Sequence, residues 1–276
     1  MLDLDWLGAM RRVVAAQQEL FDAEPTIAGR TVYEGIGEGG DNALVLDRRC
    51  EDIVFAELER LHAEAGGGFV AISEERGELA FGDASSAWRV VIDPIDGSLN
   101  ARRTIPSHCL SVALASGPSM ADVEWGFVHD FGAGEEFAAS RGAGAQLNGR
   151  ELRTDGLGYG LEVVGLESAD PERIAPVVEA LAGRAYRVRV IGSIAITLCY
   201  VAAGRLDAML SARGCRSVDA AAAQLIVREA GGEAAFAGFE LDEASLDLAA
   251  RYPVLAALDG EMLATVRAAQ SLAPEG

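Results

Sequence analysis

The stretch that decides the fold is Trp88-Arg-Val-Val-Ile-Asp-Pro-Ile-Asp-Gly-Ser-Leu-Asn100. Its β-branched residues, Val90 to Ile92, favour a buried strand, because such side chains suit a pleated surface. The proline and the glycine that follow force the chain out of the sheet. The carboxylates of Asp93 and Asp96 are therefore predicted to lie together in a turn at a sheet edge.

Two acids that share a tight turn repel each other unless a cation neutralises them. Carboxylates together with a loop carbonyl offer the oxygen ligands that Mg²⁺ accepts. The same Asp-Pro-Ile-Asp-Gly run is also typical of an ordinary turn that binds nothing. The rest of the chain has to decide between a metal site and a turn.

The composition is that of a large globular protein. Its 276 residues are 50% hydrophobic, which is enough for one large domain or two packed halves. The sequence has no apolar run of about 18 residues that could span a bilayer, and its first residues lack the pattern of an export signal. We therefore expect no membrane partner and a cytoplasmic location.

The net charge of −20 disfavours a nucleic-acid partner, because the summed field of the protein repels polyphosphate. An acidic protein that handles phosphate must invert its local potential, and bound divalent cations do so directly. All 23 of the Lys and Arg residues are arginine, which excludes a lysine Schiff base and a P-loop lysine.

The cysteines and histidines indicate neither a zinc site nor a disulfide framework. The cysteines are widely spaced without a Cys-x-x-Cys pair, and the histidines show no His-x-x-x-His spacing. Buried free thiols and ordinary packing are the simpler interpretation. The residues concerned are Cys50, Cys109, Cys199, Cys215, His62, His108 and His129.

Apolar spacing in the first half predicts two helices, residues 4–22 and 42–64, ahead of a set of strands. A run of three glycines, residues 66–68, breaks the chain after the second helix. The strands look antiparallel, and residues 142–149 form a turn-rich joint after them. The predicted strands cover residues 69–73, 90–92, 107–116, 123–129 and 135–140.

The second half alternates strands and helices, which is the rhythm of βαβ units. The predicted strands cover residues 161–168, 186–191, 206–210 and 252–258, and the predicted helices cover residues 171–181, 193–203, 218–230 and 260–270. We expect an α/β fold of layered helices and sheets. Residues 1–155 form an α+β subdomain and residues 156–276 an α/β subdomain, and the two pack as one unit.

Acidic residues recur at the ends of apolar elements, where ligands collect in α/β sheets. Glu74 follows a strand, Asp219 begins a helix, and Asp47 lies in the first turns of the second helix. Taken singly, Glu74 is typical of a solvated loop and Asp219 of a helix cap. Their joint presence with Asp93 and Asp96 favours one shared site.

These motifs resemble those of the inositol monophosphatase / fructose-1,6-bisphosphatase superfamily of metal-dependent phosphatases. The matching segments are Ser73-Glu74-Glu75, Asp93-Pro-Ile-Asp-Gly-Ser98, Ser217-Val-Asp219-Ala-Ala and Glu229-Ala-Gly-Gly232. The resemblance implies the sugar phosphatase fold, a five-layer αβαβα sandwich. It also implies a Mg²⁺-dependent phosphomonoesterase in which a water molecule attacks in line and no covalent intermediate forms.

The resemblance further implies a set of metal ligands. Glu74, Asp93 and the main-chain carbonyl of Ile95 would hold one Mg²⁺. Asp93, Asp96 and Asp219 would hold a second, and a third, weaker ion would share Glu74, which also counts among the catalytic residues. The first subdomain would thus carry most of the ligands, and the second the last metal aspartate.

The phosphate and water contacts are implied in the same way. The N–H groups of Gly97 and Ser98 would receive the phosphate, since aligned N–H groups after a turn form an anion-binding nest. Asp47 and the Ser98 hydroxyl would orient and deprotonate the attacking water. Ser193 and Ile194 belong to a segment similar to one that shapes the substrate side in the family, so both are expected substrate contacts.

Two departures from the usual family pattern bear on the substrate. Ser98 stands where threonine is usual and keeps the hydroxyl, and Val218 replaces the tryptophan common before the last metal aspartate. The pattern is closer to archaeal-type members that act on both inositol-1-phosphate and fructose-1,6-bisphosphate. We expect Arg213 or Arg216 to contact substrate phosphate, since guanidinium pairs with phosphate bidentately. A solvated surface arginine is the alternative for each.

Gly35-Ile-Gly37-Glu-Gly-Gly40 satisfies the dinucleotide-binding pattern G-x-G-x-x-G. That motif needs a preceding core strand of a βαβ unit, whereas a helix is expected upstream here. Glu34 and Glu38 would also repel a pyrophosphate. We therefore predict a flexible loop that closes over the metals.

Other functions stay open on the sequence. Within the family the substrate could be histidinol phosphate or 3′-phosphoadenosine 5′-phosphate. The nucleotide is not supported, because near residues 170–200 only Tyr186 could stack on a base, apart from Tyr200 inside an apolar helix. Outside catalysis, the chain could be a regulatory or RNA-associated protein of the same fold, or bind Ca²⁺ structurally. A protein of this fold that has lost its catalytic activity is disfavoured, because Asp47, Ser98 and Asp219 are all present. Relatives are commonly homodimers, and we expect a homodimer by analogy.

Overall fold

The fold is taken from a computed structural model, which describes residues 1–36, 42–154, 160–168 and 170–274. The first half contains most of the strands, as the sequence predicts. Its helices are α1 (Trp6–Ala23), α2 (Ile27–Arg30), α3 (Val45–Ala65) and α4 (Ser98–Arg102). Its strands are β1 (Tyr33–Ile36), β2 (Asn42–Leu44), β3 (Phe69–Ser73), β4 (Gly77–Phe81), β5 (Arg89–Asp96), β6 (Cys109–Ala115), β7 (Val123–Asp130), β8 (Glu135–Ser140), β9 (Gly144–Leu147) and β10 (Arg150–Leu152).

The second half alternates strands and helices, and each predicted element has a counterpart in the structure. These elements are β11 (Val163–Glu167), α5 (Pro171–Leu181), β12 (Arg187–Arg189), α6 (Ile194–Ala202), β13 (Ala208–Ser211), α7 (Ser217–Glu229), β14 (Glu233–Phe236), β15 (Val254–Ala257) and α8 (Gly260–Gln270).

Two large sheets organise the described residues. The first has eight strands in the order β10-β9-β8-β7-β6-β5-β3-β4, and its neighbours run antiparallel except for the parallel pair β3 and β5. The second has five strands in the order β12-β11-β13-β15-β14, with β11 parallel to both β12 and β13. The strand directions agree with the antiparallel set predicted for the first half and with the βαβ rhythm predicted for the second half.

Helices cover the sheets in three layers. Helices α1 and α3 pack on the outer face of the first sheet, α6 and α7 lie between the sheets, and α5 and α8 cover the second sheet. The largest apolar core surrounds α6 and α7, where Leu198 and Leu225 are fully buried. The predicted five-layer αβαβα sandwich is confirmed.

Helix α7 approaches the first sheet through small residues. Residues 220–223 of α7 are all alanine and all buried. A Cβ added to Gly126 of β7 would lie 2.6 Å from the carbonyl oxygen of Ala222. This close contact sets the depth of α7 between the sheets, and with it the position of the first turn, which carries Asp219.

The structure differs from the predicted elements in several short segments. The apolar pattern of the sequence did not predict strand β4, because most of this strand is exposed; Leu79 at its centre is 44% accessible. The joint predicted at residues 142–149 contains β9, which forms a hairpin with β10 around Asn148 and Gly149. Strand β14 was also not predicted, and residues 42–44, assigned to the second helix, form strand β2 instead.

The glycine-rich stretch from residue 35 to residue 40 is described only as far as residue 36. Helices α1 and α2 lie upstream as expected, although Tyr33–Ile36, where the glycine-rich stretch begins, is a short strand. That strand pairs with β2 in a separate two-stranded sheet, so it does not belong to a βαβ unit. The predicted closing loop, residues 37–40, and the subdomain boundary at residues 155 and 156 lie outside the described residues.

Candidate active site

The parallel pair β3 and β5 brings two of the predicted acids level with each other. Ser73 at the end of β3 pairs with Ile92 of β5, so Glu74 and Asp93 are the next residues at the same edge of the sheet. This is the place where parallel strands deliver ligands. The two acids are far apart along the chain, and the register of the two strands brings them together.

A bulge in β5 presents the second aspartate of the turn. Asp93 pairs with Ser111 and Asp96 pairs with Cys109, so β5 carries one more residue than β6 between these pairs. Pro94 lies inside the bulge, where a strand tolerates a residue that has no N–H to donate. The Asp93 carboxylate accepts a hydrogen bond from the N–H of Ile95 at 3.0 Å, which stiffens the turn.

Three carboxylates meet where β3 and β5 end and α7 begins. One oxygen each of Glu74, Asp93 and Asp219 lies within 4.8 Å of the others. Helix α7 contributes Asp219 from its first turn, and the carboxylate accepts a hydrogen bond from the N–H of Arg216 at 2.8 Å. Three acids this close are a group that could hold a metal ion.

The cluster opens into a cleft of about 680 Å³. The cleft collects nearly all of the predicted site residues, although they come from distant parts of the chain. Its lining residues are Leu44, Asp47, Glu74, Glu75, Asp93, Ile95, Asp96, Gly97, Ser98, Leu99, Arg102, Arg213, Arg216 and Asp219.

The electrostatics of the cluster favour a bound cation. Burial, together with the neighbouring charges of Asp96 and Glu74, raises the pKa of Asp93 well above its usual range. Burial and the charge of Asp96 raise the pKa of Asp219 to about 7, and burial raises that of Asp96 to about 6. A divalent cation would offset both the desolvation and the mutual repulsion, so these residues fit a metal site.

Asp47 stands beside the cluster with an unsatisfied oxygen. Its Oδ1 is buried and has no hydrogen-bond partner, and the same holds for Oε2 of Glu75. Burial, followed by the charges of Glu75 and Glu74, raises the pKa of Asp47 to about 8. Buried polar atoms of native proteins are normally paired, so this carboxylate oxygen is positioned for a ligand or a water molecule.

Gly97 makes a tight backbone position at the end of β5. Its φ is +90°, and an added Cβ would lie 2.9 Å from the carbonyl oxygen of Ser107 and 3.1 Å from that of Gly192. Only glycine suits this conformation and this contact. The next residue, Ser98, donates its hydroxyl hydrogen to the carbonyl oxygen of Ile95 at 2.8 Å, which holds the turn closed.

Ser193 and Ile194 lie behind Asp96. The Ser193 hydroxyl donates to Oδ2 of Asp96 at 2.7 Å, and the N–H of Ala195 donates to the same oxygen at 2.6 Å. Ser193 is also the N-cap of α6, and the side chains of Ser193 and Ile194 are buried. In the structure Ser193 and Ala195 therefore hold Asp96, and the predicted contact of Ser193 and Ile194 with substrate stays a prediction.

Sequence reasoning missed a buried acid that supports this arrangement. Glu167, the last residue of β11, accepts hydrogen bonds from the N–H groups of Ile191 and Gly192, each at 3.0 Å, and from the Thr197 hydroxyl at 2.7 Å. The Asn100 side chain donates to the carbonyl of Ile191 from the other side at 2.8 Å. The signal was present, since Glu167 ends a strand just as Glu74 follows one.

Three arginines line the cleft, one of them unforeseen. Arg213 and Arg216 lie there as the prediction of phosphate contacts requires, and Arg102 of α4 joins them. The Arg216 guanidinium forms an ion pair with Glu74, and both side chains are partly buried. The cleft therefore combines a cluster of acids with permanent positive charges at its margin.

No helix in the described part of the chain is long and apolar enough to cross a membrane.

Sequence comparisons relate this chain to one family of known proteins. The profile of the inositol monophosphatase family matches residues 8–271. The fructose-1,6-bisphosphatase/inositol-1-monophosphatase of Methanocaldococcus jannaschii is 34% identical over 234 residues, which cover 83% of this chain and 85% of that protein. The Nus factor SuhB of Xylella fastidiosa is 37% identical over 198 residues, which cover 70% of this chain and 68% of that protein.

A solved structure agrees with the sequence matches. The crystal structure of an inositol monophosphatase-fructose 1,6 bisphosphatase superposes with a TM-score of 0.79 and 26% identity, covering 96% of this chain and all of that one. The matched region includes both sheets and every residue of the acidic cluster. The chain therefore belongs to the inositol monophosphatase family, a family of phosphatases, as its motifs predict.

Proposed function

We propose that this protein is a Mg²⁺-dependent phosphomonoesterase that hydrolyses inositol-1-phosphate, fructose-1,6-bisphosphate or both. The observation that carries the proposal is the convergence of Glu74, Asp93 and Asp219, with one oxygen each within 4.8 Å, in a protein of net charge −20. Acids gathered in this way bind phosphate only through a cation. The names of the archaeal relatives support this choice of substrates.

The family resemblance supplies the two ligand sets. Glu74, Asp93 and the Ile95 carbonyl would hold one ion, and Asp93, Asp96 and Asp219 the second. All five residues line the cleft. When bound, Mg²⁺ would acidify a coordinated water molecule and neutralise the charge that develops on the leaving alkoxide.

Asp47 and Ser98 are suited to handle the attacking water. The Ser98 hydroxyl already donates its hydrogen to the Ile95 carbonyl, and its oxygen keeps lone pairs that can accept a hydrogen bond from water. The unpaired Oδ1 of Asp47 can accept the second proton of that water. Burial raises the pKa of Asp47 to about 8, which brings this carboxyl group into the range where it can exchange a proton near neutral pH.

Gly97 and the arginines would bind the phosphate. The N–H groups of Gly97 and Ser98 follow a turn whose positive φ at Gly97 suits only glycine, and they would form the anion-binding nest. Arg213 lies in the same cleft and can pair bidentately with a phosphate group. No side chain has to form a covalent bond with the substrate, because water is the nucleophile.

Phosphate release from a substrate panel tests the proposal. The panel contains inositol-1-phosphate, fructose-1,6-bisphosphate, histidinol phosphate and 3′-phosphoadenosine 5′-phosphate, each with Mg²⁺ and with EDTA. We expect release from one or both of the first two with Mg²⁺ alone, loss of release in Asp93→Asn, and normal release in the exposed control Asp242→Asn. Preference for the third or fourth ester would change the substrate assignment.

A second candidate is a non-catalytic regulatory role. The 37% identity to a Nus factor SuhB favours it, because that relative is named for a different activity. The same panel separates the two candidates. If metal-loaded protein releases phosphate from no member of the panel, the regulatory role is the better assignment.

Oligomeric state and location are also proposals. We propose a homodimer in the cytoplasm, a combination supported by the family resemblance and by the absence of a membrane-crossing helix in the described residues. Size-exclusion chromatography with light scattering tests the dimer, and a single-chain mass at micromolar concentration would contradict it.

A further inference from the structure

Arg216 is attached to the acidic cluster at two points. Its N–H donates to Oδ2 of Asp219 at 2.8 Å, just before α7 begins. Its guanidinium reaches across the cleft to Oε1 of Glu74. The two side chains of this ion pair are only 16% and 22% exposed, so solvent screens the interaction weakly. The backbone contact fixes the root of the side chain, and the ion pair fixes its end.

Glu74 is also the residue that a third, weaker cation would share, according to the family resemblance. One oxygen of Glu74 accepts from Arg216, and one of its oxygens lies within 4.8 Å of oxygens of Asp93 and Asp219, where an ion of the pair described above would bind. A further divalent cation at the arginine side of Glu74 would face a guanidinium, which carries a permanent positive charge. The two charges would repel each other in a partly buried site.

The charge of the whole cleft agrees with this exclusion. Six carboxylates and three guanidinium groups line it, which leaves a formal charge of −3. Two divalent cations are enough to make such a cleft positive toward an entering phosphate. Removing the charge of Arg216 would leave one more negative charge at Glu74 to be neutralised.

We infer that the Arg216 guanidinium occupies the position at Glu74 that a third cation would otherwise take, so that this chain binds two divalent ions. The inference rests on the proposed function and deepens it. Arg216 thereby acts on the number of metal ions in the site, whereas Arg213, which lines the same cleft, has no contact with Glu74 among the interactions described. That difference makes Arg213 a matched control.

Mn²⁺ binding measured without substrate tests the inference. The full chain is titrated with Mn²⁺ to millimolar free ion, and the unbound ion is followed by electron paramagnetic resonance. We expect the unsubstituted chain and R213Q to saturate at two Mn²⁺ per chain. R216Q should bind a third ion, at least about tenfold more weakly than the first two. Circular dichroism confirms that each variant is folded.

Several outcomes would overturn the inference. Three Mn²⁺ in the unsubstituted chain contradict it directly, and that measurement does not depend on the folding of any variant. Saturation of folded R216Q at two ions also contradicts it, as does a third ion in R213Q. Because no substrate is present, failure of the proposed phosphatase activity would show only in the ester panel, so the two failures are distinguishable.

Discussion

Asp96 shows how one residue can be costly for the fold and valuable for the site. Its carboxylate is buried, with a pKa that burial raises to about 6, although Ser193 and Ala195 donate to it. Burial of a charged carboxylate destabilises a fold, so a carboxylate in this environment indicates a functional role, here the binding of a cation. The same reasoning applies to Asp93, which is also buried, and to Asp219, which is partly buried.

We predict that Asp96→Asn abolishes turnover while the fold survives. Asparagine keeps an oxygen for the two donors, so α6 stays capped, but the charge that binds a cation is lost. Phosphate release should fall by roughly 100-fold or more. Without Mg²⁺ the thermal unfolding midpoint should stay the same or rise, because a buried charge is removed. Normal release would take Asp96 out of the site.

Glu167 acts on the site from a distance. Two backbone N–H groups and the Thr197 hydroxyl converge on its carboxylate, which therefore holds the turn before α6. Glutamine offers one acceptor oxygen and one donor group, so Glu167→Gln leaves a buried donor facing another donor. We predict a loss of about 1–3 kcal/mol in the free energy of unfolding, measured by urea denaturation.

The same substitution should weaken metal binding through Asp96. Because the turn carries Ser193 and Ala195, a shift in it would move two of the donors to Asp96. We expect the Mg²⁺ concentration for half-maximal activity to rise by roughly tenfold. Glu172→Gln on the exposed side of α5 is the matched control. An unchanged Mg²⁺ requirement in Glu167→Gln would limit this residue to a purely structural role.

At the scale of elements, the contact between α7 and β7 decides where Asp219 lies. The helix can come close because Gly126 has no side chain and because α7 faces the sheet with alanines. Protein interiors are close-packed, so a methyl group added at this contact would displace neighbouring atoms. The site therefore depends on a packing contact that involves no catalytic side chain.

We predict that Gly126→Ala lowers the free energy of unfolding by about 1–3 kcal/mol, since it overpacks the interface with Ala222. It should also reduce phosphate release, because the first turn of α7 would shift away from β5. Gly67→Ala is the control, since an added Cβ there meets nothing within 4 Å. Equal stability of the two variants in urea denaturation would refute the assigned role of the contact.

At the scale of the whole molecule, the buried acids link stability to pH and to metal. Burial raises the pKa of Asp219 and of Glu167 to about 7, and that of Asp47 to about 8. Carboxyl groups in an unfolded chain have pKa values near 4, so every carboxyl group of the unfolded state is ionised above pH 7. The native state then binds more protons than the unfolded state, and stability falls as pH rises.

We predict that the metal-free protein is less stable at about pH 8.5 than at about pH 7. Mg²⁺ should reduce this difference, because it binds the ionised carboxylates of the native state and raises stability by mass action. Urea denaturation at both pH values, with EDTA and with Mg²⁺, checks the prediction. Stability in EDTA that rises between pH 7 and pH 8.5 would contradict the sign of the assigned pKa shifts.

Much of the architecture was predictable because it depends on local pattern. Apolar spacing located the main helices and most of the strands, and the alternation in the second half indicated a parallel sheet core. The segments that escaped prediction are short or exposed, such as β4 and the β9–β10 hairpin. In such segments the pairing partner, rather than the side-chain pattern, creates the strand.

The sequence by itself determined which groups can bind metal and phosphate, and that they follow strands. Pro94 and Gly97 act on their covalent neighbours, so the Asp93–Gly97 turn can be inferred from adjacent residues. Only the tertiary structure decided which distant groups meet. Arg216 and Glu74 are 142 residues apart, and Glu167 lies 24 residues before Ile191. Contacts over such distances depend on sheet register and helix packing, which no local pattern records.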